Sequence, residues 1–534
     1  MSDPTGALFL GAKETEGRGA EFSVRNPATG DLLPPVFRDA DLEQVAEAAR
    51  LAAAASEQES PSRARTALLA AIAEEITALD EDLLVRAYAE TALPMLRLQS
   101  ERARTLHQIG LFAQLVEEGS WVDARIDRAD PKRLPARKPD LRRMLVPLGP
   151  VAVFGASNFP LAFSVAGGDT ISALAAGCPV VVKAHPAHPG TSEMVARAIA
   201  RAVARVGVHE GTFSMVHGSS NDVGLALVRA PELRAVGFTG SLRGGRALFD
   251  AAAARPDPIP VFAEMGSQNP VFLLTGALRE RRATIAQGLS QAVALGAGQF
   301  CTNPGLVILT RGDEAEAFLA TLRELIRRTP AGTMVHAGIR GAYESSLDAA
   351  TATPGVELLA QGDGTGEHAA TAARSVLLAT TARAFLEKGA LREEIFGPAT
   401  LAVLCDDAAE MLEVARSLGG QLTATVHGSE DEQAASDELL RLLRARVGRL
   451  IWNGFPTGVE VTHAMHHGGP YPASTDARST SVGTAAIQRF ARPVCYQDLP
   501  PQLLPIELTD ANPRGIWRQI DGQLTRGAVD HASA

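Results

Sequence analysis

The sequence has few cysteines and no apolar run suited to a membrane. Its 534 residues include 4 cysteines, none in a CxxC or CxxH arrangement, which argues against a structural zinc site and a disulfide framework. Residues 144–168 lack charge, but prolines and glycines interrupt them, so we interpret this stretch as a buried strand and loop. Residues 1–17 carry charges and no sustained apolar segment, and they predict no secretory signal. A reducing cytoplasm is the expected location.

Positive charge is also scarce. The chain has 51 Lys+Arg against 61 Asp+Glu, a net charge of −10, with no long basic run. This balance argues against duplex nucleic acid and anionic membranes as partners. With 46% hydrophobic and 21% charged residues, the chain has the composition of a large globular protein of about two to four domains.

The order of apolar patterns predicts the fold class. Apolar residues recur at threes and fours over residues 41–116, which indicates helices. Two later blocks, 145–249 and 260–451, alternate short β-rich runs with helical patterns, which is typical of parallel sheets. The prediction is an α/β protein with two tandem parallel lobes and a small-molecule cleft between them. The polar, proline-containing stretch 125–143 predicts a sheet-forming excursion or a domain crossover, and the tail after Pro500 is expected to wrap or fray.

Two features of the first lobe are candidates for phosphate binding. Gly240 and Ser241 lie in a glycine-rich turn that follows a predicted strand and opens a helix, where free N–H groups favour an anion. The turn is not the GxGxxG fingerprint, and ordinary turn chemistry also explains it. Lys183 ends a predicted strand in a chain with only five lysines, which indicates a phosphate or hydroxyl contact; a solvated strand-end cation is the alternative.

Three further residues are candidates for catalysis. Cys301 lies between glycines in a polar surround, so that another molecule can approach its sulfur, although a free cysteine is often simply a small buried residue. Glu264 ends an apolar strand, where burial would give it the raised pKa that suits a general base; a strand-end cap is the plainer reading. Asn158 follows the first strand of the lobe and offers an amide donor, or forms a turn before Pro160.

Taken together, the motifs resemble the aldehyde dehydrogenase superfamily from about residue 20 to 500. They occur in the family's order: Ser-Asn-Phe-Pro at 157–160, Val-Val-Lys at 181–183, Phe-Thr-Gly-Ser at 238–241, Glu-Met-Gly at 264–266, Gly-Gln-Phe-Cys at 298–301 and Glu-Ile-Phe-Gly-Pro at 394–398. The resemblance implies a Rossmann-like cofactor domain (1–124 and 146–262), a catalytic domain (263–450), a small β oligomerisation element (125–145 and 480–500) and a C-terminal extension (501–534). A homodimer or homotetramer is expected.

The resemblance also implies roles for individual residues. Cys301 would attack the aldehyde, Asn158 would hold the oxyanion, and Glu264 would activate the water that hydrolyses the thioester. The residues expected to contact the cofactor, NAD or NADP, are Lys183, Ser241, Gly240, Glu394, Phe396 and Ser157. No metal ion is expected.

Departures from the common pattern suggest specificity. Pro186 replaces a glutamate that NAD-using members often carry there, which removes repulsion of a 2′-phosphate and favours NADP. Ser157 replaces an aromatic residue, which indicates a different substrate pocket. The segments 467–475, 480–484 and 492–496 resemble a branch with 2,5-dioxovalerate (α-ketoglutarate semialdehyde) dehydrogenases and NADP-using long-chain aldehyde enzymes. His463, His466 and His467 are interpreted as a loop at the pocket mouth rather than as metal ligands.

The predicted reaction is oxidation of an aldehyde to a carboxylate, with 2,5-dioxovalerate as the leading substrate. The alternatives are a long-chain or other aliphatic aldehyde, transfer of the thioester to CoA, a Cys-dependent esterase and a catalytically silent scaffold. Glu264 argues against the CoA route, because that chemistry does not need a base to activate water. A substrate with a distal carboxylate needs a cation, and Arg281 and Arg282 are candidates that a solvated helix start explains equally well.

Overall fold

The computed structural model describes residues 3–58, 60–364 and 369–530. The residues outside these ranges are 1, 2 and 59 in the predicted cofactor domain, 365–368 in the predicted catalytic domain and 531–534 in the predicted C-terminal extension. The strands of the described residues are β1 (Ala7–Leu10), β2 (Lys13–Glu16), β3 (Glu21–Arg25), β4 (Leu32–Arg38), β5 (Arg125–Asp127), β6 (Leu141–Pro147), β7 (Val151–Phe154), β8 (Val180–Lys183), β9 (Phe213–Val216), β10 (Ala235–Thr239), β11 (Val261–Glu264), β12 (Val271–Leu273), β13 (Leu306–Thr310), β14 (Gly332–Thr333), β15 (Glu357–Gln361), β16 (Ala372–Ala373), β17 (Val376–Thr381), β18 (Ala399–Cys405), β19 (Gln421–His427), β20 (Val447–Trp452), β21 (Ala491–Gln497), β22 (Arg518–Ile520) and β23 (Gln523–Thr525).

The helices confirm the predicted helical block and the alternation that follows it. They are α1 (Leu42–Ser56), α2 (Ser62–Thr77), α3 (Asp80–Thr91), α4 (Met95–Glu118), α5 (Gly168–Ala176), α6 (Pro189–Val206), α7 (Asn221–Arg229), α8 (Leu242–Ala253), α9 (Thr275–Ala294), α10 (Asp313–Arg327), α11 (Ala337–Thr351), α12 (Ala382–Glu387), α13 (Ala408–Ser417) and α14 (Asp437–Arg444). None of the helices among the described residues has both the length and the apolar character needed to span a bilayer.

The first large sheet has the strand order β11-β10-β7-β8-β9-β1-β2. Strands β7 to β11 run parallel, whereas β1 and β2 are antiparallel additions at one edge. Strands β7 to β9 are almost entirely apolar, because helices cover both faces of a parallel sheet. The chain order reverses between β7 and β10, which creates a crevice beyond their carboxyl ends where ligands commonly bind.

The second large sheet has the order β15-β17-β18-β13-β12-β19-β20. Its strands are parallel except for β15, which pairs antiparallel with β17. The core strands β12 and β13 are buried, and separate apolar clusters fill the two faces of the sheet. The two tandem α/β lobes predicted from the sequence are therefore confirmed.

A third sheet has the order β21-β6-β5-β22-β23. The predicted excursion forms β5 and β6, and β6 pairs antiparallel with β21 along its whole length. The tail does not fray over its described part, since β22 and β23 extend this sheet. The fully buried Arg518 guanidinium holds the tail by donating to four backbone carbonyl groups, those of Glu507, Thr509, Asp510 and Gly527.

Candidate active site

A cavity of about 810 Å³ lies beyond the carboxyl ends of β7 and β10. The loops that follow these two strands supply residues 155–159 and 240–244 to its wall, as the reversal of strand order predicts. All nine candidate site residues line this cavity: Ser157, Asn158, Lys183, Gly240, Ser241, Glu264, Cys301, Glu394 and Phe396. The structure therefore brings together residues that are spread over 240 positions of sequence.

Cys301 is held at the cavity wall by a strained turn. Gly296, Ala297 and Gly298 all have φ between +55° and +66°, a left-handed conformation that favours glycine. A Cβ atom on Gly298 would lie 2.1 Å from the backbone carbon of Gly397, so only glycine fits there. The Asn269 amide then fixes the loop that contains Cys301 by donating to the carbonyl oxygen of Cys301 at 2.8 Å.

Glu264 ends β11 with its carboxylate buried and fully engaged. Its Oε1 lies 2.9 Å from His467 Nε2, and its Oε2 accepts from the Ser481 hydroxyl. Burial raises the pKa of Glu264, but the neighbouring imidazole and the hydrogen bonds from His467, Ser481 and Cys301 outweigh it, and the pKa lies below its ordinary value. The expected raised pKa is therefore wrong, because the sequence could not reveal these partners.

His467 lies in a loop, but its side chain is buried against Glu264 and Cys301 and does not lie at the pocket mouth, where the sequence analysis expected it. Its side chain is fully buried, and Nε2 lies 3.3 Å from Cys301 Sγ as well as 2.9 Å from Glu264. An N–H on Nε2 explains the short contact, because two unprotonated acceptors at that distance would repel. The backbone on either side is fixed by Thr480, whose hydroxyl accepts from His467 N, and by Ser481, whose N–H donates to His467 O.

Strand β21 begins at Ala491, and the Ser481 hydroxyl contacts the Glu264 carboxylate and the His467 carbonyl oxygen. That residues 480–500 belong to the small β element stays a prediction. The signals for His467 in the sequence were its place among three histidines and its position at the start of the segment 467–475, which resembles one branch of the family. His463 instead contacts the Thr484 hydroxyl at 3.1 Å, and His466 is half-buried.

The ligand atoms of Glu264, Cys301 and His467 lie within 4.8 Å of one another, a spacing that one metal ion could bridge. Each of these atoms also contacts another member of the group directly, so their hydrogen bonds already account for the arrangement. The expectation that this group works without a metal ion stays a prediction.

The thiol of Cys301 is protonated in this arrangement. Burial raises its pKa well above the ordinary value, and the negative charge of Glu264 and a hydrogen bond to it raise it further. The Arg104 guanidinium acts in the opposite direction. The resting site therefore holds a neutral thiol beside an ionised carboxylate.

Asn158 lies beside the loop that contains Cys301. Its side-chain amide donates to the Gln299 carbonyl at 2.9 Å, and one amide N–H remains for a ligand. Arg97 donates to the Asn158 carbonyl at 2.8 Å while its guanidinium packs over the rings of Phe159 and Phe300. These contacts fix Asn158 relative to Cys301.

The far part of the cavity presents donors to an anion. Ser241 caps the N-terminus of α8, and Gly240 before it packs so closely on Phe238 that a Cβ atom would lie 2.6 Å from the ring. Burial lowers the pKa of Lys183 to about 8, although Asp39 opposes this. Lys183 is thus a desolvated cation rather than the solvated strand-end residue of the alternative reading.

Glu394 and Phe396 line the cavity on the side of the second lobe. Burial raises the pKa of Glu394 to about 8, with a hydrogen bond from the Ser267 backbone lowering it and Glu264 raising it. A Cβ atom on Gly266 would lie 2.3 Å from the Glu394 carboxyl, so glycine makes room for this side chain. Ser157 stands at the cavity wall next to Asn158.

The remaining cysteines and the two candidate arginines lie elsewhere. Cys178 and Cys405 are buried in the core, and Cys495 is exposed on β21. Arg281 donates to Gly428 O and to the Asn453 side chain, and Arg282 pairs with Glu314 at 3.2 Å. These two arginines are therefore engaged in the fold rather than in the site.

Comparisons with known proteins show the family to which the chain belongs. Residues 14–490 match the aldehyde dehydrogenase family. Alpha-ketoglutaric semialdehyde dehydrogenase 2 of Azospirillum brasilense is 49% identical over 97% of this chain and 99% of its own length. Alpha-ketoglutaric semialdehyde dehydrogenase of Acinetobacter baylyi is 43% identical over 98% of this chain and its full length.

Among solved structures, the fold is similar to that of betaine aldehyde dehydrogenase from Staphylococcus aureus, with a TM-score of 0.78 at 17% identity, covering 93% of this chain and 97% of that one. The resemblance inferred from the motifs is thereby confirmed. The chain belongs to the aldehyde dehydrogenase family and is an oxidoreductase that acts on aldehydes.

Proposed function

We propose that this protein oxidises 2,5-dioxovalerate to 2-oxoglutarate with NADP or NAD, through a thioester on Cys301. The observation that carries the chemistry is the contact of Cys301, Glu264 and His467 at one end of a cavity lined by phosphate-binding features. The choice of substrate is supported by the names of the two full-length relatives.

The first step is attack of the Cys301 sulfur on the aldehyde carbon. The thiol proton passes through the Glu264 and His467 pair to solvent, so that Glu264 is ionised again before the later hydrolysis. Within this pair, His467 Nε2 lies 3.3 Å from the sulfur. The carbonyl oxygen becomes an oxyanion, and the free N–H of the Asn158 amide is placed to donate to it. The product of this step is a thiohemiacetal.

When bound, the cofactor would supply the hydride acceptor that turns the thiohemiacetal on Cys301 into a thioester. The resulting thioester is cleaved by water, and Glu264 takes the proton from that water. Because the pKa of Glu264 is lowered, its carboxylate is ionised at neutral pH and ready to act as a base. The carboxylic acid leaves, and the Cys301 thiol is restored.

The residues present fit a dinucleotide phosphate. Lys183, Ser219, Ser220 and Arg243 stand along the cavity, and the carboxylates among its lining residues are Glu264 and Glu394, which lie by Cys301 and Gly266. Pro186 occupies the wall where a carboxylate would repel a 2′-phosphate. These features support NADP as the preferred cofactor. Lys183 and Glu394 would contact the riboses, Ser241 and Gly240 the pyrophosphate, and Phe396 and Ser157 the nicotinamide end.

The roles of the larger parts are proposed on the same basis. The first lobe would bind the cofactor and the second would carry the nucleophile loop. The edge strands of the third sheet, β21 and β23, would pair subunits into a homodimer or homotetramer, because an edge strand leaves backbone groups available for pairing. A reducing compartment such as the cytoplasm would keep Cys301 as a thiol.

The test is the initial rate of NAD(P)H formation at 340 nm with 2,5-dioxovalerate and with a C8 to C12 aldehyde, each with NADP and NAD. We expect the highest kcat/KM with 2,5-dioxovalerate and NADP, and no activity from Cys301→Ala. A higher kcat/KM for the long aldehyde would refute the proposed substrate but not the chemistry. Full activity of Cys301→Ala would refute the proposed chemistry.

A further inference from the structure

The proposed substrate carries a carboxylate at the end remote from its aldehyde. Burying that charge without a partner would be costly, and a guanidinium is the side chain best suited to pair with it. Neither Arg281 nor Arg282 is available for this purpose, as shown above. A site for this distal carboxylate rests on the proposed function.

Arg104, on α4, is a half-buried guanidinium beside the reactive groups. It packs over the ring of Phe163 with 5.2 Å between Cζ and the ring centroid, and Phe163 lines the cavity that contains Cys301. Its Nε donates to the carbonyl of Val459, while Nη1 is buried without a hydrogen-bond partner within residues 3–58, 60–364 and 369–530. A buried donor without an acceptor costs stability unless a ligand satisfies it.

Arg449, on β20, binds the same loop from the other side. Its Nη1 and Nη2 donate to the carbonyls of Gly458 and Pro456, and its Nε is buried without a partner in the described part of the chain. The two arginines thus hold the loop 456–459 between them. Neither forms an ion pair within 4.0 Å with a described carboxylate.

Phe163 is the structural link between Arg104 and the cavity of Cys301, because it lines that cavity and stacks with the guanidinium. Arg104 and Arg449 themselves are not among the described residues that line the cavity. Burial lowers the pKa of Arg104, and Glu101, Cys301, Glu264 and Glu460 oppose that effect. Burial also lowers the pKa of Arg449, and Cys301 opposes it.

We propose that Arg104, assisted by Arg449, binds the distal carboxylate of the substrate while its aldehyde lies at Cys301. Arg104 provides the unsatisfied Nη1, and Phe163 beneath it provides an apolar wall for the carbon chain. Selectivity for an aldehyde acid over a neutral aldehyde then depends on these two cations. Arg97 is not part of this subsite, because it packs over two rings and donates to Asn158.

The experiment compares 2,5-dioxovalerate with pentanal, a neutral aldehyde of the same chain length, in wild type, Arg104→Gln, Arg104→Lys and Arg449→Gln. The matched control is Arg102→Gln, which removes an arginine of the same helix that donates to Asp80 O. We expect Arg104→Gln to lower kcat/KM for 2,5-dioxovalerate by about ten- to a hundredfold, mainly through KM, with pentanal changed less than about threefold. Arg449→Gln should show a smaller loss, and Arg104→Lys should recover part of the selectivity because it keeps the charge.

Equal losses for both substrates, or no loss for either, would overturn the inference. Inhibition of pentanal oxidation by 2-oxoglutarate gives a readout that does not need 2,5-dioxovalerate to react. We expect its inhibition constant to rise at least about tenfold in Arg104→Gln and to stay unchanged in Arg102→Gln. If wild type does not oxidise 2,5-dioxovalerate, the proposed function fails; the carboxylate site fails only if 2-oxoglutarate inhibition is absent or does not depend on Arg104.

Discussion

Replacing Glu264 with glutamine should make the thiol of Cys301 more reactive while abolishing turnover. In the free protein the carboxylate suppresses ionisation of the thiol, since its charge and its hydrogen bond both raise the pKa of Cys301. Glutamine has nearly the same shape but no charge. The two functions proposed for this position, restraining the thiol and activating water, should therefore separate in one variant.

The size of the effect follows from the geometry. The carboxylate oxygen and the sulfur lie within 4.8 Å, and two unit charges at that distance repel by about 3.5 kcal/mol at an effective dielectric constant of about 20. Removing this repulsion favours the thiolate by a few hundredfold, at about 1.4 kcal/mol per tenfold. A less basic thiolate is a weaker nucleophile, which cancels roughly half of the logarithmic gain. The net expectation is about ten- to thirtyfold faster alkylation.

The assay is the second-order rate constant for iodoacetamide with Cys301 at pH 7.5, followed by intact mass. Cys301→Ala identifies the label on the other three cysteines, of which Cys495 is exposed. In the same preparation of Glu264→Gln, the rate of NAD(P)H formation should fall by about a hundredfold or more, as expected for the loss of a general base. Alkylation that is slower in Glu264→Gln than in wild type would refute the reasoning, because it would mean that Glu264 activates the resting thiol.

Two further predictions concern neighbouring groups. His467→Ala removes the imidazole that forms a hydrogen bond with Glu264, so burial should raise the pKa of the Glu264 carboxyl. A hydrogen bond to a charged group contributes about 1.5–3 kcal/mol, so its loss should shift the protonation equilibrium of Glu264 by roughly ten- to a hundredfold. The acid limb of the kcat profile should move to higher pH, with His467→Gln closer to wild type, and an unchanged limb would contradict the contact. Lys183, with a pKa of about 8, should lose its charge as the pH rises through 8, so the Kd for NADP measured by fluorescence should increase between pH 7 and 9. Lys183→Arg should remove that pH dependence, and an equal dependence in both proteins would contradict the role of Lys183.

Local sequence was sufficient for the elements and for nine candidate residues that line one cavity, but not for the position of His467. Strands β7 to β9 are runs of buried apolar residues, and helices α5 and α6 follow them with a left-handed glycine at each carboxyl end. Such patterns depend on neighbours in the chain, so they are readable without coordinates. The motif residues around Cys301 and Glu264 likewise identified the family before any geometry was known.

Only the tertiary structure decided what each side chain experiences. His467 is more than 160 positions from Cys301 and more than 200 from Glu264 in sequence, and no periodicity could connect them. The direction of the pKa of Glu264 depends on the balance between burial and partners from a distant loop. The same holds for Arg104, whose buried and unpaired Nη1 arises because α4 packs against Phe163 and the loop at Val459. The sequence by itself determined the elements, the family and the candidate residues, whereas desolvation and long-range contacts, which exist only in the folded chain, decided the protonation and the partners of those residues.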